Sequence, residues 1–172
     1  MAGPRPALST QKGAWRVATT SAFEVILYAG AHGFASRAEV PEGWEGPPFG
    51  PRADLLAQIE AALPGLTRSA WSDMPETGVW TVVLTGDEVI LDFELPEVPS
   101  AKLLLRFRGE ARRLLPVITG LYDVPDWGVV TQATAALNDR AGLAASLSTQ
   151  GRRRAGFGAP SLSERLRALF TR

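Results

Sequence analysis

The residues best suited to chemistry are three carboxylates. Asp92 and Glu94 alternate with Val89, Leu91, Phe93 and Leu95, so in a strand both project from the face opposite the apolar one, with Glu88 at the near end of that face. Paired carboxylates can hold a cation or divide acid and base roles. No histidine lies near these in sequence and the spacing is not that of a calcium loop, so no metal site follows. Two readings stay open for them: a solvated sheet face, or an acidic docking face for a basic partner.

His32 is the sole histidine, within Gly30-Ala31-His32-Gly33. An imidazole works as a general base only beside a nucleophile or an orienting carboxylate, and the sequence places neither there. The Gly-x-x-Gly spacing lacks a Gly-Lys-Ser/Thr ending and leads into no helix, so it is not read as a phosphate loop. Cysteine is absent, which removes thiolate nucleophiles, disulfides and sulfur-ligated metals. No catalytic residue, metal or cofactor is assigned.

Two further groups could meet a partner. Arg152-Arg153-Arg154, followed by Phe157, is a segment suited to phosphate backbones and base stacking. Of Trp15, Trp44, Trp71, Trp80 and Trp127, Trp44 sits in a Pro/Gly loop where an interface anchor could stand, while the other four read as core. Candidate partner-binding residues are therefore Trp44, Glu88, Asp92, Glu94, Arg152, Arg153 and Arg154.

Composition sets the frame for these groups. The chain has 172 residues, 45% of them hydrophobic and 21% charged, enough for one domain with its own core. Net charge is zero, yet residues 1–16 carry three cations and no anion, and residues 140–172 carry seven arginines against Glu164. The body between them is acidic, which suits a basic partner and repels nucleic acid. No long apolar run and no apolar leader core is present, so a cytoplasmic protein without membrane contact is expected.

Periodicity then places the elements. Residues 1–21, rich in Pro, Gly, Ser and Thr, read as an extended arm, and 22–139 as a single domain. Phe23–Tyr28 is a first strand, followed by a Pro/Gly loop. A helix opens at Gly50-Pro51, presents Leu55, Leu56, Ile59 and Leu63 as one stripe, and ends at Pro64-Gly65. A hairpin joins Val79–Leu84 to Val89–Leu95, and Leu103, Leu105 and Phe107 alternate with Lys102, Arg106 and Arg108 in a strand with a basic outer face. Residues 110–122 have helical spacing that Pro116 either kinks or starts. Trp127–Thr131 is a last strand. From Arg140 the Gly/Ala/Arg-rich composition reads as a mobile tether leading to a short amphipathic helix over 161–170.

This order, with Asp54–Ile59 leading to Leu63-Pro64-Gly65, the hairpin 79–95, and Leu115-Pro116-Val117-Ile118 before Trp127-Gly128-Val129-Val130, resembles small bacterial immunity proteins of polymorphic or contact-dependent toxins. The resemblance implies a non-enzymatic domain that covers a toxin, often through an acidic face, and a second helix that starts at its proline.

The expected fold is α+β: a mainly antiparallel sheet of about five strands with two helices on one face, plus the C-terminal amphipathic helix. The expected core is Val25, Leu27, Leu55, Ile59, Leu63, Val83, Leu91, Phe93, Leu105, Leu114 and Ile118. The expected function is a protein-binding module of immunity or adaptor type. The alternative is a nucleic-acid or ribosome-associated protein that binds through its Arg-rich tail.

Overall fold

Alternating apolar strands and two striped helices assemble into an α+β fold in the computed structural model, which describes residues 22–132 and 134–152, with backbone alone for Arg37 and residues 148–152. The arm 1–21, the helix expected over 161–170, and Arg153 and Arg154 lie outside the described residues. The elements are β1 (Phe23–Ala29), α1 (Arg52–Ala62), β2 (Thr67–Met74), β3 (Val79–Gly86), β4 (Val89–Pro96), β5 (Lys102–Arg108), α2 (Ala111–Thr119), β6 (Trp127–Thr131) and α3 (Arg140–Arg152). The strands form one sheet in the order β2-β3-β4-β5-β1-β6, and every pairing is antiparallel. Six strands stand where about five were expected, the added one being β2.

One sheet face carries the main core. Phe23, Val25 and Leu27 of β1, Leu91 and Phe93 of β4, and Leu105 and Phe107 of β5 pack with Leu55, Leu56 and Ile59 of α1 and Leu114 and Ile118 of α2. Val83, expected inside, is only half-buried on the opposite face; its neighbours Val82 and Leu84 enter the core instead, one residue to either side along the strand.

Two helices differ from expectation. Helix α2 begins at Ala111 and runs through Pro116, so the proline neither starts nor ends it. Burying Leu114 and Ile118 contributes about 3–6 kcal/mol, at about 1.5–3 per side chain, against about 3 for an internal proline, so packing holds the helix across it. Residues 140–152, expected as a tether, form helix α3, whose Leu143 and Leu147 are fully covered in the main core. Spaced at i and i+4, they give one buried side to a helix otherwise built of small and polar residues.

The other sheet face is half open. The Pro/Gly loop folds over its β1–β6 end, where Ala31, Phe34, Val40 and Trp44 pack with Val130 and Leu137. Asn138 pins this loop: its Nδ2 donates to the carbonyls of Ala31 (3.0 Å) and Phe34 (2.7 Å), and its Oδ1 accepts from the Val129 amide at 2.9 Å. No helix among the described residues is long and apolar enough to cross a membrane.

Candidate functional site

The two edges of the sheet are treated differently by the fold. Strand β6 is buried along its length, whereas all eight residues of β2 are exposed. No described strand pairs with the outer edge of β2. Its inner edge matches β3 from Thr67↔Thr85 to Met74↔Val79, with one irregularity between Arg68 and Ala70. Beyond that bulge, Ala70–Met74 runs straight, which leaves five residues of unbroken edge.

This edge carries an aromatic relay. Trp71 and Trp80 lie on the face that also bears the main core, at the margin beyond α1, and meet edge to face with ring centres 5.5 Å apart. Arg52, at the start of α1, stacks its guanidinium on the Trp80 ring and donates to the Gly78 carbonyl at 3.3 Å. Trp80 is thereby held from both sides, and Trp71 projects outward, 49% exposed. Met74 at the end of the strand is 39% exposed, and Val98, just past the end of β4, is 77% exposed.

Charge is distributed unevenly around this patch. Register places Asp73 beside Trp80 and Leu95, and Ser72 beside Thr81 and Glu94, so Asp73 and Glu94 lie on opposite faces at the same end of the sheet. Glu76 is in the β2–β3 turn, and the Glu97 amide donates to the Gly78 carbonyl beside it at 2.7 Å. All four carboxylates are exposed, and none forms an ion pair with a described residue. Several acids elsewhere around the sheet are matched. Arg68 pairs with Glu60 of α1 at 2.8 Å, and Arg113 meets Asp87 at 3.1 Å.

The residues singled out in the sequence are not brought together. Asp92 and Glu94 do project from the face opposite the core, but Asp92 lies between Arg108 (3.0 Å) and Arg106 (3.7 Å) of β5, because antiparallel pairing sets the basic outer face of β5 beside it. The face expected to be acidic is a neutralised row there, and only its Glu94 end keeps unmatched negative charge. Glu88 is a turn residue with φ 64°, about 20 Å along β4 from Glu94 at about 3.3 Å per residue, and 3.8 Å from the Arg113 guanidinium.

Trp44 is half-buried against Phe34, with ring centres 5.4 Å apart, and anchors the loop at the far side of the sheet from β2. Arg152 closes α3, and its side chain is outside the described residues, as are Arg153 and Arg154 entirely. His32 is exposed, and its carbonyl accepts from Asn138.

Sequence reasoning missed Trp71, read as core, together with Asp73 and Glu76. The available signal was the segment Thr67–Met74 itself: Trp71 is its sole large apolar residue before Met74, so no alternating set existed to bury it. A dent lined by Phe49, Arg52, Leu55, Leu95 and Leu103 has room for about one water. Comparison with protein-family models, curated proteins and solved structures finds no match for this chain.

Proposed function

We propose that this chain is a non-enzymatic protein-binding module of immunity or adaptor type, whose docking surface is the exposed end of β2, β3 and β4. One observation carries the reading: Trp71, Met74 and Val98 stand exposed at the end of the sheet that also carries Asp73, Glu76, Glu94 and Glu97, carboxylates that form no ion pair with a described residue. An exposed tryptophan in such a setting is the residue type that most often anchors an interface, and unmatched charge around it steers a partner of opposite sign. The acidic balance of the body supports the same sign of partner. The resemblance to toxin-immunity proteins points to the same class of activity, a surface that works by covering another protein.

The test begins with capture from the native host on the immobilised full chain, followed by titration of the recovered protein against wild type and variants in purified form. Trp71→Ala and the double variant Asp73→Lys/Glu94→Lys are expected to weaken binding at least about tenfold, a loss of about 1.4 kcal/mol. All three positions are exposed, so the variants should stay folded, with Trp71→Ala losing at most about 0.5–1.5 kcal/mol of ring contact with Trp80. A recovered partner that binds all variants equally, or the absence of any partner that rebinds in purified form, overturns the reading.

A further inference from the structure

We propose that the outer edge of β2 receives an extended, basic segment of a partner protein as a seventh strand of the sheet. The proposal rests on the protein-binding reading above and specifies its mode. A strand at a sheet margin presents alternate amides and carbonyls with no partner, and folded proteins usually blunt such an edge with bulges, inward charges or a covering element. Here the bulge and the Arg68–Glu60 pair guard only the N-terminal end of β2. From Ala70 to Met74 the register is regular, the residues are exposed, and no described element covers the edge. This stretch matches the length of an ordinary strand.

The side chains beside the edge define what would fit. Trp71 and Asp73 share one face of β2, so residues two apart on an added strand would lie opposite them. An apolar residue opposite Trp71 would cover its exposed ring, and a lysine or arginine opposite Asp73 would meet a carboxylate without an ion pair among the described residues. Glu76 in the adjoining turn adds negative charge at the same end of the strand, while Glu94, on the opposite face of β4, would lie about 14 Å from an added strand at about 4.8 Å per strand and be largely screened. Arg52 is the cation nearest the relay, and its guanidinium is already stacked on Trp80. Main-chain bonding would supply affinity and the cation-x-apolar spacing would supply selectivity, which is the logic of strand addition. A second copy of the chain fits poorly, because edge-to-edge pairing of β2 with itself would bring two sets of these carboxylates together.

The probe is a short fluorescent peptide that alternates threonine with lysine around one central valine, titrated by anisotropy into the full chain at low salt. Its comparison is the same peptide N-methylated along its backbone, which keeps every side chain and removes the main-chain donors. Strand addition predicts that methylation weakens binding at least about tenfold, and that Trp71→Ala and Asp73→Lys each do so by a similar factor. Hydrogen exchange should show the outward-facing, alternate amides within Ala70–Met74 newly protected by the unmodified peptide. Equal binding of the two peptides, or protection confined to other segments, overturns strand addition while leaving the docking surface itself standing. Failure of the unmodified peptide to bind, or sedimentation showing a dimer that Trp71→Ala dissolves, also overturns it. Loss of partner binding in the variants of the preceding section is read separately, so the two proposals fail independently.

Discussion

The guanidinium carbon of Arg52 lies 4.1 Å from the centre of the Trp80 ring, and this contact joins the first turn of α1 to the margin of the sheet. Because Trp80 in turn braces Trp71, Arg52 fixes the posture of a ring it does not touch. Arg52→Ala should cost about 0.5–2 kcal/mol in urea unfolding, and Arg52→Lys less, since ammonium keeps the charge but loses the planar stack. The near-ultraviolet circular dichroism of the Trp71–Trp80 pair should change in both variants. An unchanged spectrum in Arg52→Ala would show that the two rings hold each other without help.

Asn138 offers a sharper test of the loop. Its side chain satisfies backbone groups on both sides of a contact between sequence-distant segments, so Asn138→Ala should cost about 2–4 kcal/mol by leaving several of them unpaired. Asn138→Asp, the same in shape, should be no better, because a carboxylate oxygen would face the carbonyls of Ala31 and Phe34. Limited proteolysis should then cut within residues 31–47 before any other part of the described domain.

Tyr122 predicts the alkaline limit. Burial, reinforced by the nearby Asp139 carboxylate and partly opposed by Arg140, raises its hydroxyl from 10.0 to about 12. The folded form therefore keeps its proton where the unfolded chain loses it. Stability is unaffected by this group below pH 10 and falls as the pH rises from 10 towards 12. The hydroxyl also has no hydrogen-bond partner among the described residues. Tyr122→Phe should remove this fall and be neutral or slightly stabilising at pH 7. Phenolate absorbance should show one of the two tyrosines ionising late.

Helix α3 should behave as core. Leu147→Ala is expected to cost about 2–5 kcal/mol, the range for truncating a buried leucine, and removal of residues 140–172 should leave a body that exposes apolar surface to dye. A tether in that position would tolerate both changes without a shift in melting temperature.

Strands β1, β4 and β5 and helix α1 were legible because each carries an apolar set at one clear period, with Leu91 and Phe93 against Asp92 and Glu94 the plainest case. Strand β2 was not, since every residue in it is exposed and an edge strand on a bulged hairpin has no inward face to advertise. The thirteen residues of α3 have the small-residue composition of a linker, and only Leu143 and Leu147 reveal it. Asp92 was legible as to face but not as to charge. Its neutralisation depends on which strand lies beside β4, a matter of topology that local periodicity does not contain. Trp71 and Trp44 exchanged expected roles for the same reason: burial followed from what the fold laid across each ring.

The placement of β1 also sets an order of assembly. It is the first described strand to be synthesised, yet Val25 pairs with Leu105 on one side and Thr131 on the other. Strands β2 to β5 can close hairpin by hairpin as they emerge, through contacts between near neighbours in sequence. Until β5 emerges, Phe23, Val25 and Leu27 have neither neighbouring strand and form an apolar stretch suited to a chaperone's grip, and the other edge of β1 stays open until residue 131 has left the ribosome. The first described strand is thus among the last to be enclosed, and nascent chains halted before β5 should be the ones most prone to aggregate.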